Sequence, residues 1–243
     1  MPNPSPSFQP LYLQIKALVE AALEHGEWRP GEAIPSEMVL AGRFGVSQGT
    51  VRKAINALAA DNLVVRRQGK GTFVATHTEE KTSNFRFLRI RRDGGDELHP
   101  VSRLIDVRRA KAGAEIARAL DLKPGAPVIV LRRVLECAGE PVLFDEITLP
   151  APLFKGLTKA RLDAYGGSMY SFYETQFGVR MLRAQERLKA VPADRYSAAL
   201  LAVEQGCPLL AVERVTLTYG ERPVEYRRGL CVTRRYHYAN ELG

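Results

Sequence analysis

The stretch from Ser36 to Val74 constrains the fold more than any other part of the sequence. Ser36 follows Pro35 and precedes an apolar pattern that ends at Gly45, and Ser47 then precedes a second pattern. The apolar positions of the second pattern recur with helical spacing at Val51, Ala54, Ile55 and Leu58. Serine is a favoured N-cap, and glycine readily ends a helix in the left-handed conformation. The sequence therefore predicts two helices that are joined by a turn of only a few residues.

A further helix and a hairpin are predicted on either side of this pair. Apolar residues from Leu11 to Leu23 recur every three or four positions, and Gly26 and Pro30 stop that pattern. Residues 64–74 hold two β-prone runs joined by a basic, glycine-rich tip, which is typical of a hairpin. A phosphate-binding nucleotide loop is the alternative, but no helix follows the tip and the spacing GxxxxGKS or GxxxxGKT is missing. The segment therefore predicts a winged helix-turn-helix.

Positive charge is concentrated in the same segment. The whole chain has a formal net charge of +8, which permits an anionic partner without requiring one. Residues 1–42 are net acidic, whereas residues 43–71 hold six basic side chains against the single acidic residue Asp61. The basic excess in residues 76–243 is spread over a long stretch, as on a solvated surface. The local concentration favours nucleic acid as the partner of residues 43–71.

The helix that follows Ser47 is the candidate recognition helix. Residues near its start or on its outward side are Gln48, Gly49, Thr50, Arg52, Lys53 and Asn56. In helix-turn-helix proteins the first turns of this helix enter the major groove, where Gln and Arg pair with base edges. Gly49 weakens the helix by roughly 1 kcal/mol relative to alanine. It either lets the backbone approach the DNA closely or is simply tolerated in a first turn, and both interpretations stay open.

Residues 10–75 resemble the DNA-binding domain of the GntR family. The resemblance rests on the phrases PGEAIPSE, FGVSQGTVRKA and RRQGKGTFV, which stand in this order. It implies DNA contacts on the recognition helix and the wing, at Ser47, Gln48, Gly49, Thr50, Arg52, Gly69 and Lys70. Met38 stands where many members have arginine, and Gln48 and Gly49 also depart from the common residues. The operator sequence therefore does not follow from the resemblance.

The second half of the chain begins after a polar stretch and contains an internal repeat. Residues 76–84 (THTEEKTSN) predict a flexible linker between domains at residues 1–75 and 85–243. In the second domain Gly125-x-Pro127 recurs as Gly206-x-Pro208. Each copy shows a strand, a helix, a strand, a tight turn and a strand. Two such units predict an α/β domain on one mostly antiparallel sheet, so the whole chain is expected to be an α+β protein.

From about Phe85 to the C-terminus the motifs resemble the UTRA effector-binding domain of the HutC subfamily, which has a chorismate-lyase-like fold. The phrases are HPVSRL, GAPVIVLRRV, GEPVLFDEITLP, SMYSFYETQFGV and ERPVEYRRGL. In relatives that bind phosphorylated sugars the ligand lies between the half-repeats. The resemblance therefore implies effector contacts at the matching positions Arg133, Asp145, Ser168, Tyr170 and Glu225. Arg133 would bind an anionic group of the ligand. The carboxylates of Asp145 and Glu225 would accept hydrogen bonds from ligand hydroxyls or bind an amine. The hydroxyls of Ser168 and Tyr170 would donate hydrogen bonds to the ligand.

Several features leave the class of effector open. Arg133 has a repeat mate in Arg214, and arginines at symmetric places also serve as structural salt-bridge partners. Leu135 and Cys231 lie where some of those relatives have arginine and tyrosine, which favours a less highly charged effector. A basic run either supplies charge from a loop that closes the pocket or is a solvated strand, and it consists of Arg86, Arg89, Arg91 and Arg92.

Other features bear on the class of protein. Residues 1–10 lack the pattern of a secretory signal, and no apolar run is long enough for a membrane helix. The cysteines Cys137, Cys207 and Cys231 are odd in number and far apart. Neither a disulfide framework nor a zinc site is therefore predicted, and a reducing cytoplasm is expected. The histidines are scattered, and no catalytic constellation or cofactor motif is recognised.

The sequence thus predicts a cytoplasmic, sequence-specific DNA-binding regulator that is not an enzyme and needs no metal or cofactor. We expect a homodimer that represses by binding double-stranded operator DNA and responds to a small-molecule effector, anionic if Arg133 binds it. An effector that tightens DNA binding is the opposite possibility. Two alternatives are a DNA-binding dimer without an effector and an enzyme on the lyase-like fold.

Overall fold

A computed structural model of the chain describes residues 9–78, 88–94 and 100–240. The chain divides into two units between Thr76 and His77. The first unit contains three helices and a hairpin, and the second is built on a six-stranded sheet. The predicted α+β architecture is confirmed.

The helices of the first unit are α1 (Leu11–Glu24), α2 (Glu37–Phe44) and α3 (Gln48–Ala60). Strands β1 (Val64–Arg67) and β2 (Gly71–Val74) pair in antiparallel register and form the wing. The inner faces of the helices meet in a core of buried side chains: Val19, Leu40, Val51, Ala54, Ile55 and Leu58. The predicted winged helix-turn-helix is confirmed.

Serine caps hold the two helices of the motif in place. Ser36 Oγ accepts a hydrogen bond from the backbone N–H of Val39 at 3.3 Å, and Ser47 Oγ accepts one from Thr50 at 3.2 Å. Helix α2 is capped at its C-terminus by Gly45, whose φ of 65° lies in the left-handed region. These contacts satisfy N–H groups that a helix start otherwise leaves unpaired. They fix the short turn that precedes α3.

The strands of the second unit fall into a long set and a short pair. The long strands of the first half-repeat are β4 (Val101–Lys111), β5 (Pro127–Cys137) and β6 (Glu140–Pro150). Those of the second half-repeat are β7 (Arg183–Pro192), β8 (Pro208–Leu217) and β9 (Pro223–Val232). The short strands β3 (Ile90–Arg92) and β10 (Tyr236–Tyr238) pair with each other.

In the described part of the second unit, four helices accompany the sheet: α4 (Ala114–Ala119), α5 (Lys159–Asp163), α6 (Met169–Phe177) and α7 (Arg195–Leu201). Short 3₁₀ turns lie at Ala151–Leu153 and Tyr219–Glu221. Within the described ranges, no helix has the length and apolar character needed to cross a membrane.

The sheet order, β4-β5-β6-β9-β8-β7, reflects the internal repeat. Each half-repeat contributes three neighbouring strands, and all the pairs in the sheet are antiparallel. The halves meet where β6 pairs with β9, with Asp145 opposite Gly229. The central seam of the sheet therefore carries side chains from both copies of the repeat.

Alternation along the strands assigns side chains to two faces of the sheet. One face packs against α6 around Leu131, Ile147 and Tyr173, and we call it the α6 face. The opposite face packs against α7 around buried residues such as Phe144 and Leu230. Arg133 and Asp145 are each two residues from members of the first cluster, so they belong to the α6 face. The polar residues of the predicted effector site thus stand among apolar neighbours.

The predicted linker at residues 76–84 extends beyond the described residues, which break off after Thr78. Within it, His77 is only 2% exposed and belongs to the second unit. Its backbone N–H donates to Glu174 Oε2 at 2.8 Å. In the first unit the Ala75 N–H donates to Leu63 O at 3.0 Å. The backbone N–H groups of Ala75 and His77, on either side of Thr76, are therefore hydrogen-bonded in different units.

Two glycines of the α2 region are expected to respond oppositely to alanine. Gly42 lies inside α2 with open space around it, so Gly42→Ala should stabilise the first unit by about 0.5–1 kcal/mol. Gly45→Ala should destabilise it by about 1 kcal/mol or more, because φ at Gly45 is +65°. Urea unfolding followed by the fluorescence of Trp28 measures both changes. Equal effects of the same sign would contradict the left-handed cap.

Candidate nucleic-acid interface and effector pocket

The seven positions predicted to contact DNA lie at the start of α3 and at the tip of the wing. All are exposed except Thr50, which is half-buried. Its Oγ1 is 2.9 Å from Ser47 Oγ. Gly69 and Lys70 occupy the turn between β1 and β2, and φ at Gly69 is +70°. The fold thus leaves these groups accessible to a ligand as large as a DNA duplex.

Gly49 has no packing reason to be glycine. A Cβ at this position would meet only Ser47 Oγ, at the ordinary contact distance of 3.8 Å, and its φ is not in the left-handed region. The chain itself would therefore accept a side chain there. Close approach of DNA and mere tolerance both remain compatible with this geometry.

Glu37 links the recognition helix to the wing, and the sequence analysis missed it. Its Oε2 accepts from Arg52 Nε at 2.9 Å and from Gln48 Nε2 at 3.4 Å, while its Oε1 accepts from Arg66 Nη2 at 2.9 Å. Burial tends to raise the pKa of Glu37, but the hydrogen bonds from the two arginines outweigh it and lower the pKa. An ionised carboxylate therefore pre-positions Arg52, and Arg66 joins the set of exposed cations.

Two adjacent depressions open on the α6 face of the second unit. The inner pocket is lined by residues of both half-repeats, among them Arg133, Asp145, Tyr170, Arg214 and Arg227. The outer groove has a volume of about 360 Å³ and is lined mainly by β4 and residues 162–169. Arg133 and Met169 line both depressions. A ligand held between the half-repeats could therefore extend from the pocket into the groove.

A buried ion-pair network forms the floor of the inner pocket. Arg133 Nε donates to Asp145 Oδ2 at 2.9 Å, and Arg227 Nη1 donates to the same oxygen at 3.3 Å. Asp145 is fully buried. Desolvation tends to raise the pKa of Asp145, yet the charges of Arg227 and Arg133 more than offset it and lower the pKa. Asp145 is therefore ionised at neutral pH and joins the two half-repeats electrostatically.

Tyr170 and Glu225 form the next layer of this network. Tyr170 OH donates to Glu225 Oε1 at 2.8 Å, and Arg227 Nη2 donates to Glu225 Oε2 at 3.1 Å. Burial raises the pKa of Tyr170, so its hydroxyl stays protonated and can donate. Glu225 has 0% exposure and lies behind Tyr170. Its position makes it a support for Tyr170 and Arg227 more than a group that meets a ligand.

Ser168 occupies a different place from the other predicted effector residues. It lines the outer groove and caps α6, where its Oγ accepts from the Ser171 N–H at 3.1 Å. The structure therefore brings Arg133, Asp145 and Tyr170 together in the inner pocket. It places Ser168 at the groove and Glu225 beneath the pocket.

Arg214, the repeat mate of Arg133, also lines the inner pocket. Its Nε donates to Glu186 Oε1 at 2.6 Å, and Tyr238 OH donates to the other carboxylate oxygen of Glu186. Both symmetric arginines are thus ion-paired and both face the pocket. The structural and the ligand-binding interpretations of Arg133 are compatible with each other in this arrangement.

The positions that depart from sugar-phosphate-binding relatives lie in an apolar cluster beside the pocket. Leu135 and Cys231 pack with Ile90, Leu143 and Tyr236. Burial raises the pKa of Cys231 to about 12, so it is an apolar neighbour and not a thiolate. Leu135 lines the pocket itself. The place of a possible second arginine is therefore taken by a hydrocarbon side chain.

The basic run before residue 93 divides between pocket and surface. Arg89 lines the inner pocket, Arg91 donates to the carbonyl oxygens of Leu88 and Ile90, and Arg92 is exposed. Arg86 lies outside the described residues. Of the described members of the run, Arg89 lines the inner pocket.

His77 is a buried contact of the pocket wall that sequence reasoning assigned to the linker. Its ring centroid lies 5.7 Å from that of Tyr170, and its Nε2 accepts from the Met181 N–H at 3.3 Å. The backbone N–H of His77 donates to the carboxylate of Glu174. Glu174 lies one helical turn after Tyr170 on α6. Helix α6 therefore contacts both the pocket and the point where the chain enters the second unit.

Two neighbouring ion pairs between β5 and β6, Arg133–Asp145 and Arg132–Glu146, should contribute differently to the free energy of unfolding. Asp145→Asn should destabilise the second unit by about 3–5 kcal/mol, because Arg133 loses its buried counter-ion and Arg227 loses one of its two. The control Glu146→Gln breaks the solvent-accessible pair with Arg132 and should cost under about 1 kcal/mol. Urea unfolding followed by far-ultraviolet circular dichroism measures both. Similar small costs for the two variants would refute the role of Asp145 as the electrostatic centre.

Comparison with known proteins assigns both units. Residues 11–74 match the profile of the gntR family of bacterial regulatory proteins, and residues 96–237 match that of the UTRA domain. The transcriptional repressor NagR of Bacillus subtilis is 27% identical over 238 residues, which cover 96% of each chain.

Two solved structures are also similar. A ligand-binding domain of a GntR-family regulator from Bordetella bronchiseptica is 46% identical with a TM-score of 0.64, covering 66% of this chain and 99% of that one. PhnF from Mycobacterium smegmatis is 26% identical with a TM-score of 0.55, covering 94% and 99%. The chain therefore belongs to the GntR family of transcription regulators, with the HutC-type combination of a helix-turn-helix and a UTRA domain.

Proposed function

We propose that this DNA-binding regulator is a homodimeric repressor whose affinity for its operator is lowered by a small metabolite bound in the inner pocket. One observation carries the proposal: both half-repeats send charged side chains into a single pocket, with Arg133 and Asp145 from one half and Arg214 and Arg227 from the other. Buried charged groups that converge on a cavity are typical of a ligand site. The name of NagR as a repressor supports the direction of control.

On the DNA side, we assign base reading to the first turns of α3 and backbone contact to the wing. Gln48 and Arg52 are exposed at the helix start, and Glu37 holds both side chains. Arginine and glutamine make bidentate contacts with guanine and adenine in the major groove. Lys70, at the wing tip, is placed for a phosphate or the minor groove. Each protomer would read one half-site of a two-fold symmetric operator, in the cytoplasm where the chromosome lies.

The pocket can influence the first unit through α6. Tyr170 stands in the pocket wall, and Glu174 on the same helix holds the N–H of His77. Ala75 lies only two residues before His77, and its backbone N–H is hydrogen-bonded in the first unit. A ligand that moves Tyr170 would therefore pull on the connection to the wing strand β2. Couplings of this kind are typically worth about 1–3 kcal/mol.

The alternatives make different predictions for the pocket. A dimer without an effector needs no ligand there, so no metabolite would both raise the melting temperature and change operator affinity. A thermal-shift screen of sugar phosphates, amino acids, phosphonates and carboxylates, followed by gel shifts with the chain's own upstream DNA, distinguishes the two functions. An effector that tightens binding would keep the regulatory site and reverse the direction of control.

Arg52 and Lys70 should affect DNA binding in different ways. Arg52→Ala should weaken binding to the cognate operator by about 1–3 kcal/mol and change binding to a scrambled duplex little, because it removes a base contact. Lys70→Ala should weaken binding to both duplexes alike and reduce the slope of log affinity against log salt by about one. Fluorescence anisotropy titrations at several salt concentrations measure these effects. Unchanged operator preference in Arg52→Ala would remove Arg52 from the reading surface.

His77→Ala should uncouple the two units of the regulator. The substitution removes the imidazole that packs on Tyr170 and accepts from Met181. We expect operator affinity without effector to persist while the fold-change caused by the effector shrinks by about fivefold or more. His25→Ala is the control, because His25 is exposed and its ring Nδ1 is hydrogen-bonded to the carbonyl oxygen of Ala21 in α1. A full effector response in His77→Ala would exclude the His77 imidazole as a carrier of the coupling.

A further inference from the structure

We infer that the inner pocket selects an uncharged polar group that both donates and accepts hydrogen bonds, such as a carboxamide or a hydroxyl, attached to an apolar body. The inference rests on the proposed effector function and narrows the class of effector. It differs from the sugar-phosphate ligands that the resemblance to known relatives suggests, and four observations on the described residues carry it.

The buried charges of the pocket are already balanced. The arginines are Arg133, Arg214 and Arg227, and each is paired with at least one carboxylate of the set Asp145, Glu186 and Glu225. A fully charged ligand would have to compete for one of these pairs and would upset the balance in a low-dielectric interior. Arg89 is the further cation of the lining, and it is half-buried, so water still solvates it. The network therefore favours a neutral polar group.

Two polar atoms of this network lack a hydrogen-bond partner within residues 9–78, 88–94 and 100–240. One is the acceptor Asp145 Oδ1, and the other is the donor Arg227 Nε. Both side chains line the inner pocket and both atoms are buried. An unpaired buried polar atom costs about 1–3 kcal/mol, and more when the group is charged. A ligand group that donates to the carboxylate and accepts from the guanidinium would recover this cost.

Gly229 leaves the unpaired oxygen without a side chain pressed against it. It faces Asp145 across the β6–β9 seam and lines the pocket. A Cβ at this position would lie 3.0 Å from Asp145 Oδ1 and 3.1 Å from Leu143 Cδ1. Any residue larger than glycine would therefore crowd the oxygen that we assign to the ligand. The backbone of Gly229 is not in the left-handed region, so conformation alone does not require glycine here.

The inner pocket also has hydrocarbon walls. Its apolar lining consists of Leu88, Ile90, Leu135, Leu143, Met169 and Val212. These side chains would bury an alkyl or ring portion of the effector, at about 25 cal/mol per Å² of apolar surface removed from water. The inner pocket has a cavity volume of about 50 Å³, several times the roughly 10–15 Å³ that one water needs. A short branched alkyl group with one polar head matches these walls.

Three small probes with related carbon skeletons test the class of the polar head. Isovaleramide presents a carboxamide, isovalerate an anion and isopentylamine a cation. We expect the full-length wild-type protein to bind isovaleramide at least about tenfold more tightly than either charged probe, which corresponds to 1.4 kcal/mol. Titrations followed by NMR of labelled Leu, Val and Ile methyl groups give the three dissociation constants. Equal or weaker binding of isovaleramide, including none, overturns the inference.

Two glycine variants provide the structural control. Gly229→Ala should weaken isovaleramide binding about tenfold or more, because its methyl group occupies the space beside Asp145 Oδ1. Gly113→Ala adds the same methyl at the start of α4, away from both depressions, where a Cβ meets nothing within 4 Å, and should leave binding unchanged. Urea midpoints report whether each variant folds. If Gly229→Ala unfolds, the wild-type ranking of the probes still decides, and equal binding by both folded variants contradicts the assigned position.

The inference and the proposed function can fail separately. A wild-type preference for isovaleramide in a protein whose operator affinity no metabolite changes supports the pocket chemistry and refutes the proposed regulation. A preference for isovalerate, together with release of the operator by an anionic metabolite, refutes the pocket chemistry and supports the regulation.

Discussion

The second unit depends on the pairing of Asp145 with arginines from both half-repeats. Asp145 lies on β6 at the seam, accepts from Arg133 on the neighbouring strand of its own half, and accepts from Arg227 of the other half. Buried ions of this kind are tolerated only when a partner neutralises them at short range. The two halves of the repeat can therefore form a low-energy interior only when they are joined. The same requirement concentrates polar groups at the seam of the sheet, where the inner pocket opens.

Much of the fold follows from local patterns. The serine caps at Ser36 and Ser47, the left-handed Gly45 and the helical spacing of the apolar residues in α3 each act within a few residues. For this reason the winged helix-turn-helix could be predicted from the sequence. The strand and turn pattern of the repeat likewise predicted a largely antiparallel sheet. Period-two alternation then places Arg133 and Asp145 on one face, although the sequence alone does not tell which face carries the pocket.

The features that sequence reasoning missed are contacts between distant positions. Glu37 meets Arg66 across 29 positions, and His77 meets Glu174 across 97. Neither pair leaves a periodic trace, because each joins single residues of different elements. His77 also stands in a polar stretch, where composition predicts a solvated linker, yet its burial is set by partners far along the chain. The unpaired oxygen of Asp145 is equally invisible to pattern analysis, since it depends on the absence of a side chain at Gly229.

The anchoring of His77 also fixes where this regulator can be recombined with others. In a chimera joined within the polar stretch after His77, residue 77 would come from the protein that supplies the DNA-binding domain. The effector domain of this chain would then lose the imidazole that packs beside Tyr170. A junction at Thr76 keeps the imidazole with the domain that buries it and leaves Ala75 with the hairpin. The position of a junction in such a chimera therefore matters to within about one or two residues, because Ala75 and His77 are hydrogen-bonded in different units.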